Sequence, residues 1–444
     1  MERKEQITNT PAIEELKKQF SRLSGILLER TIGKDPEKNT VFSPYSVFSL
    51  LALAADASAG QTRDEITNAL LDGTDFDHTL EALKDVRKDL IEGKAFTDAT
   101  AVIIRKDKKS TINPGYPDHL RQSFDGKMFS TENMVTTVNN WVCRKSKGMI
   151  PVIADNSMKE MLLCLVNACS FIAKWQIEYR KTDIQNMDFH NRDGSVSRVK
   201  ALHSYEDTYI ENEQFIGFAK PYKGEQFSYM VLLPKEGLAL KKELLSTIDY
   251  SALLKGTENM LANVLMPEFI IDSDYDLTSL CREMGIRSIF TPDADLSPVS
   301  SEWLMAEGIR HKAHIKVDRE GTKAAAVTAT SVFAGFAPCK LPETKEVYVD
   351  RPFLYAIVHH ETGLPVFVGT VNHLEPYDGE DRLTNAEKES LCEQIYDSIL
   401  RRLKVKNGSE WVNADDTFYN HVEDAYSDLN LDALMELKAE LNER

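Results

Sequence analysis

The segment Val317-Asp-Arg-Glu-Gly-Thr-Lys-Ala-Ala-Ala-Val-Thr-Ala-Thr330 combines two signals that predict different secondary structures. Its run of three alanines favours a helix. The β-branched residues Thr322, Val327 and Thr328 favour an extended strand, in which alternate side chains share one face. The alternate positions here are small and uncharged, so the segment can join a β-sheet without burying a charge. It contains no large apolar side chain that would hold it in a core, and we therefore interpret it as a conformational switch.

Composition limits the classes of partner. Hydrophobic residues make up 42% of the 444 residues and charged residues 28%, which predicts a soluble globular protein. The net charge of −17 argues against nucleic acid or an anionic membrane as the main partner. No apolar run approaches the length of a membrane span. We expect neither nucleic-acid nor membrane binding.

Cysteine usage and the first residues bear on the compartment. Met1–Thr10 is polar and lacks the apolar core of a signal peptide, so the protein stays inside the cell or the chain is a trimmed form. The cysteines lack CxxC spacing, which favours free thiols over disulfides or metal. They are Cys143, Cys164, Cys169, Cys281, Cys339 and Cys392. No metalloprotease, P-loop or nucleotide-binding motif appears, so we predict no metal, no cofactor and no enzymatic activity.

Two helices are predicted near the start of the chain. Thr10-Pro11 supplies a cap followed by proline, and the apolar residues after it, from Ile13 to Leu27, follow helical spacing. A second helix begins at Ser43-Pro44, within Asn39-Thr-Val-Phe-Ser-Pro-Tyr-Ser46. A nucleophilic role for either serine is disfavoured, because no G-x-S-x-G turn surrounds them.

The most apolar strand candidate is Met161–Trp175, with Asn167 at its centre. A buried asparagine without partners costs roughly 1–3 kcal/mol, so we expect it to be fully hydrogen-bonded. Two further motifs that read as strands are His311-Lys-Ala and Pro221-Tyr-Lys-Gly224 with the apolar run that follows it.

Together these motifs resemble the serpin family over residues 12–376. The first segment is similar to the serpin hinge, acidic-x-Gly-Thr/Ser-x-Ala-Ala-Ala-x-Thr, and the second-helix motif to N-x-x-x-S-P-x-S. Leu165–Trp175 resembles L-x-N-A-x-x-F-x-x-x-W. The resemblance implies an α+β serpin fold with mixed β-sheets, a large central sheet A, about eight to nine helices and an exposed reactive-centre loop at about residues 319–345. Residues 1–376 would form this domain.

The resemblance also implies which residues control insertion of the loop into sheet A. The hinge comprises Arg319, Glu320, Gly321, Thr322, Lys323, Ala324, Ala325, Ala326, Val327 and Thr328. The gate residues, where sheet A opens, are Ser43, Pro44, Ser46, Asn167, Trp175, Glu268 and His311. We expect His311 to bond to Asn167 and to the Ser43/Ser46 loop, and the gate to loosen in mild acid because histidine titrates there.

Counting from Gly321 at the spacing common in inhibitory serpins places the attacked bond at Gly335-Phe336. A shift of one residue would place it at Ala334-Gly335 or Phe336-Ala337. Nothing basic lies in this window, so the expected targets are elastase-, chymotrypsin- or subtilisin-like proteases.

The implied function is inhibition of a serine protease as a suicide substrate, through a covalent acyl complex followed by loop insertion. The alternative is a non-inhibitory serpin-fold carrier, chaperone or storage protein, which the small hinge residues disfavour. A monomer is expected, with loop–sheet polymers as a side product. The family suggests an extracellular location, and the missing signal peptide makes the cytoplasm the alternative.

The sequence departs from the family at two charged positions. Serpins usually carry a glutamate two residues before the hinge glycine and a lysine in the L-P-K-F strand, whereas this chain has Arg319 and Glu268. Because both signs are reversed, we predict a swapped ion pair that holds the hinge at the top of the sheet.

Residues 377–444 lie beyond the resemblance and carry 17 acidic and eight basic residues, a net charge of −9. We predict an acidic helical extension here. A capping box begins at Thr384, and apolar residues spaced as in a helix run from Leu391 to Leu403, with Asn407-Gly408 as the helix end. A second amphipathic run follows between Val422 and Leu441. Docking on the body and docking on a partner are equally supported.

Overall fold

The structure is a computed structural model. It describes residues 10–71, 73–235, 238, 240, 248–257, 260–306, 308–322, 343–377, 404–407 and 410–413. The helices are α1 (Pro11–Lys34), α2 (Pro44–Asp56), α3 (Gly60–Leu71), α4 (Phe76–Glu92), α5 (Tyr116–Phe124), α6 (Met134–Lys145), α7 (Tyr250–Leu253) and α8 (Thr278–Glu283).

Most strands follow one another in runs, such as the seven strands between residues 163 and 234 with no α-helix between them, as the α+β prediction requires. They are β1 (Thr40–Phe42), β2 (Phe96–Arg105), β3 (Lys127–Thr131), β4 (Leu163–Phe171), β5 (Ala173–Lys174), β6 (Ile184–His190), β7 (Val196–Glu206), β8 (Thr208–Glu211), β9 (Phe215–Pro221), β10 (Phe227–Pro234), β11 (Met260–Pro267), β12 (Phe269–Asp276), β13 (Arg310–Val317), β14 (Gly321–Thr322), β15 (Glu343–Tyr348), β16 (Phe353–His359), β17 (Pro365–Val371), β18 (Lys404–Asn407) and β19 (Glu410–Asn413).

A six-stranded antiparallel sheet forms the centre of the core, in the order β1-β17-β16-β10-β9-β8. Every residue of β10, β16 and β17 is buried, which explains why these strands are nearly continuous apolar runs. Helix α2 is also buried along its whole length. A four-stranded sheet, β15-β11-β7-β6, contains the strand that follows the predicted loop.

A separate sheet, which we call the central sheet, consists of two halves. One half has the order β3-β2-β4, and the other has the order β12-β13-β14-β5. Strand β5 begins two residues after β4 ends, so it extends the line of β4 beyond Ile172. The halves meet where Gly321 pairs with Lys174 and Thr322 pairs with Ala173. We call this end of the sheet the top.

Below the top, the described residues contain no pairing between β4 and β13. Each of these strands is paired on its other side, β4 with β2 and β13 with β12. We call this boundary the unpaired junction. It is the place in the central sheet where a further strand could be added.

The prediction of a helix ending at Asn407 in the C-terminal extension is wrong at residues 404–407. Residues 404–407, expected to form the end of a helix, are strand β18, which pairs antiparallel with β19 so that Val405 lies opposite Val412. The Asn407-Gly408 signal is ambiguous, because Asn-Gly favours a tight hairpin turn as well as a helix end. The alternating Lys-Val-Lys-Asn pattern before it suits a strand. The remainder of the predicted tail helices lies outside the described residues.

Candidate functional site

The start of α2 is built by the Ser43-Pro44 dipeptide. Ser43 Oγ caps the helix by accepting a hydrogen bond from the Ser46 backbone N–H at 3.1 Å, and Pro44 occupies the first turn. Cys169 Sγ on β4 lies 3.3 Å from the same Ser43 oxygen. Both serines are buried, and neither is arranged as a nucleophile.

Asn167 joins this helix start to β4, on one side of the unpaired junction. Its Oδ1 accepts a hydrogen bond from Ser46 Oγ at 2.7 Å. Its Nδ2 donates to Asp98 Oδ1 at 2.7 Å and to Thr100 Oγ1 at 3.2 Å. The buried amide is therefore satisfied on both its oxygen and its nitrogen.

His311 joins the same helix start to β13, on the other side of the junction. Its Nε2 accepts a hydrogen bond from the Ser43 backbone N–H at 3.0 Å. Burial lowers the pKa of His311 to about 4, so at neutral pH the ring is uncharged and can accept this bond. Among the described residues, His311 has no hydrogen bond to Asn167; the two side chains are linked through Ser43 and Ser46.

Sequence reasoning missed a buried ion pair beside Asn167. Arg87 Nε on α4 donates to Asp98 Oδ2 at 2.7 Å, and the Asp98 side chain is 2% exposed. The Tyr45 hydroxyl donates to the same carboxylate oxygen at 3.2 Å. Burial and the Asp98 charge together raise the pKa of Tyr45 well above its ordinary value. An aspartate within a strand that ends in an apolar run was the only available signal.

Trp175 holds the hinge at the top of the sheet. Its indole Nε1 donates to the carbonyl of Asp318 at 2.8 Å, and its backbone N–H donates to the carbonyl of Glu320 at 3.1 Å. The backbone N–H of Tyr179 donates to the carbonyl of Arg319 at 3.0 Å. We call these three bonds the hinge clasp. The indole is fully buried and stacks on Tyr222 with ring centroids 4.7 Å apart.

The backbone geometry at residue 321 explains why the hinge has a glycine there. Its φ angle is +148°, a conformation that other residues rarely adopt. A Cβ at this position would lie 2.3 Å from the carbonyl oxygen of Ala173 and 2.7 Å from the Cα of Lys174. Only glycine allows the hinge backbone to approach β5 this closely.

The reversed charges at the hinge lie next to each other. Glu268 Oε1 accepts a hydrogen bond from the Arg319 backbone N–H at 3.1 Å. The Arg319 guanidinium lies 2.7 Å from Glu320 Oε1. The swapped ion pair between the two side chains stays a prediction.

Several predicted positions lie outside the described residues. These are the hinge residues Lys323–Thr328, the bond Gly335-Phe336 and its neighbours Ala334 and Ala337. The four cysteines that the structure describes, Cys143, Cys164, Cys169 and Cys281, form no disulfide. Within the described ranges, no group of three His, Cys, Asp or Glu side chains could hold a metal ion, and no helix is long and apolar enough to cross a membrane.

The geometry defines a class of protein. The start of α2 is bonded to both strands that flank the unpaired junction. Gly321–Thr322 lie in the central sheet at the top, and the next described strand, β15, pairs with β11 in the β15-β11-β7-β6 sheet. This is a fold whose central sheet contains an unpaired junction, with Gly321 and Thr322 paired at the top of it.

Comparison with known proteins gives the family. The profile described as "Serpin (serine protease inhibitor)" matches residues 19–374. Iripin-2 of Ixodes ricinus is 30% identical over 377 residues, which cover 79% of this chain and 91% of Iripin-2. Plasminogen activator inhibitor 1 of Neovison vison is 28% identical, covering 77% of this chain and 88% of that protein.

A similar solved structure is that of a thermophilic serpin, Tengpin, in the native state. It is 28% identical, with a TM-score of 0.72, and the match covers 83% of this chain and 96% of Tengpin. The chain belongs to the serpin family and has its fold.

Proposed function

We propose that this protein inhibits serine proteases as a suicide substrate, with residues 323–342 as the bait and the unpaired junction as the place where they insert. The observation that supports the proposal is that the described residues of β4 and β13 are not paired with each other below the top. In the described structure, the only strand pairing that connects β13 with the line of β4 and β5 is made by Gly321–Thr322, which pair with β13 and β5 directly before the segment that would enter. Extending β14 downward from Thr322 would add one strand between them.

The energy available for such an insertion is large. About a dozen residues entering between two strands form hydrogen bonds on both sides, which at roughly 1 kcal/mol net each amounts to about 10–20 kcal/mol before the entropy of ordering is subtracted. This rivals the entire stability of an ordinary domain, about 5–15 kcal/mol. The uncut protein is therefore expected to be metastable.

The chemistry belongs to the protease. Its serine attacks the carbonyl carbon of Gly335, forming an ester to Gly335 and releasing the amino group of Phe336. The freed strand then inserts and carries the attached protease with it. Insertion distorts the protease active site before water hydrolyses the ester, so the inhibitor contributes no catalytic residue.

The test mixes the protein with subtilisin, pancreatic elastase and chymotrypsin. We expect a covalent complex that survives denaturing electrophoresis with at least one of them, and a released peptide whose mass places its first residue at Phe336. Cleavage by all three without any complex would instead identify a non-inhibitory member of the family.

The matched control is Ala326→Pro. Proline cannot donate a hydrogen bond within a sheet, so this variant should be cleaved at the same bond without forming the complex. If Ala326→Pro traps protease as well as the parent does, trapping does not require insertion of the hinge.

A further inference from the structure

A buried ion pair lies below the hinge clasp and is not needed by the mechanism described so far. Lys220 Nζ on β9 lies 2.7 Å from Glu206 Oε1 on β7. The two side chains are 4% and 6% exposed. Lysine and glutamate are rarely buried this completely unless they are paired.

The Lys220 ammonium is flanked by the aromatic rings of the two clasp residues. It lies 4.5 Å from the ring centroid of Tyr179 and 5.7 Å from that of Trp175, within the range of cation–π attraction. The Tyr179 hydroxyl also bonds to Ser204 Oγ at 3.1 Å, two residues before Glu206 on β7. One charged group thus contacts both rings.

The same two residues supply all three donors of the clasp, which hold the consecutive carbonyls of Asp318, Arg319 and Glu320. A displacement of the Trp175 ring would shift its indole donor directly, and loosening either ring would free the residue whose backbone N–H holds the hinge. The cation–π attraction between Lys220 and the two rings therefore affects how firmly the hinge is held at residues 318–320, where the proposed insertion begins.

Stability alone does not account for this pair. Replacing a buried ion pair by apolar side chains of similar volume is often neutral or stabilising, because the desolvation penalty disappears. A charge fixed between two rings and a carboxylate does restrict the ring positions, since it is attracted to both ring faces at once.

We propose that Lys220 and Glu206 are positioning residues that keep the hinge clasp closed until the loop is cut. The ammonium holds the Trp175 and Tyr179 rings, and Glu206 fixes the ammonium between them. The consequence for inhibition rests on the proposed function, whereas the effect on the clasp does not.

The test replaces both charges, using Lys220→Met together with Glu206→Met, so that no unpaired charge remains buried. The readout is hydrogen–deuterium exchange of the Trp175 and Tyr179 backbone amides, resolved to single residues. We expect both amides to exchange at least about tenfold faster than in the parent protein, because their hydrogen bonds to the carbonyls of Glu320 and Arg319 open more often.

The matched control is Asp56→Asn, which removes a buried carboxylate from its partner His119 in another part of the fold. It should leave exchange at both clasp amides unchanged. The proposal is overturned if the double variant exchanges like the parent, or if Asp56→Asn accelerates these amides equally.

Two further measurements complete the design. If the double variant does not fold, Glu206→Asp carries the test: it keeps both charges but withdraws the carboxylate from Nζ, and unchanged clasp exchange would reject the proposal. Variants that loosen the clasp should also convert spontaneously to the inserted form or to polymers about tenfold faster at fixed temperature. Faster clasp exchange without faster conversion would contradict the proposed loop insertion and leave the role of the ion pair in the clasp intact.

Discussion

At the scale of single residues, His311 shows how burial and hydrogen bonding set a protonation state. Its neutral Nε2 accepts the Ser43 N–H, and burial lowers its pKa from 6.5 to about 4. Protonation removes the acceptor and places a charge beneath the central sheet. Gate opening and unfolding both relieve that charge, so both should be favoured in acid.

The first prediction concerns the pH dependence of stability. Because the folded-state pKa is depressed, the stability contributed by His311 is complete above pH 6.5 and is lost as the pH falls from 6.5 to about 4. The loss approaches about 3 kcal/mol. Urea unfolding midpoints between pH 4 and 7.5 should show this slope in the parent protein. His311→Gln keeps an acceptor without titrating and should flatten it; parallel slopes would exclude His311 as the cause.

The second prediction concerns the hinge glycine. Gly321→Ala places a Cβ against the backbone of β5, so the pairing at the top of the sheet should be lost. The control is Gly194→Ala, where φ is also positive, at +87°, but no atom lies within 4 Å of the added Cβ. The hinge variant should lose at least about 1 kcal/mol more unfolding free energy than the control. Equal losses would show that the positive φ alone, and not the close approach, requires glycine.

The third prediction concerns the reversed charges. Arg319→Glu places a second carboxylate beside Glu268 and should accelerate polymerisation or spontaneous loop insertion. Adding Glu268→Lys restores attraction and should return the rate to that of the parent. Native gels over a heating time course would measure it, and a double variant as fast as Arg319→Glu alone would reject the pairing.

At the scale of elements, the start of α2 connects the two halves of the central sheet. It binds β4 through Ser46 and Asn167, and β13 through Ser43 and His311. A strand that enters the junction must pass this point. The serines therefore act through structure, as a helix cap and as hydrogen-bond partners of both strands.

The fourth prediction tests the coupling between α2 and β4. Asn167→Ala removes the hydrogen-bond partner of Asp98 Oδ1 and of Ser46 Oγ and should lower the free energy of unfolding by about 1–3 kcal/mol. Ser46→Ala should cost less, and the double variant should lose less than the sum of the two single losses. Chemical unfolding of the three variants measures this, and strictly additive losses would show that the 2.7 Å contact contributes nothing.

The helices and strands also show where local sequence patterns were sufficient to predict secondary structure. Helix α1 begins at Pro11 after the Thr10 cap, and its apolar residues Leu16 and Phe20 are buried, as their spacing predicted. The predicted strand Met161–Trp175 contains β4 and β5 but is interrupted at Ile172. The helix predicted to end at Asn407 fails at residues 404–407, because the same Asn-Gly signal also serves a hairpin.

At the scale of the whole molecule, the described residues leave β4 and β13, the inner strands of the two halves of the central sheet, unpaired with each other below the top. An unsatisfied strand edge is ordinarily a liability, because it invites pairing with another chain. Here both of these strands are hydrogen-bonded to the start of α2, and Gly321–Thr322 pair at the top. The expected polymers and the expected inhibitory mechanism would both add a strand at the unpaired junction.

The fifth prediction is that cleavage stabilises the protein. Limited proteolysis near Gly335 should allow residues 323 onward to enter the junction, gaining about 10–20 kcal/mol of hydrogen bonding before ordering costs. Thermal unfolding of the cleaved, still associated chain should move to a much higher temperature than that of the intact chain. An unaltered midpoint after a verified cut would overturn the insertion mechanism, and Ala326→Pro should show a reduced gain.

The amino-acid sequence alone determined the family resemblance, the helix caps, the glycine at residue 321 and the need to satisfy Asn167. These features depend on residue types within a short segment, where propensity and periodicity operate. Only the tertiary structure decided that Arg87 pairs with Asp98, that Lys220 lies between two aromatic rings, and that β4 and β13 are not paired with each other within the described ranges. Each of these features involves residues or strands that are far apart in the chain. No local pattern specifies which of them come together when the sheets and helices pack.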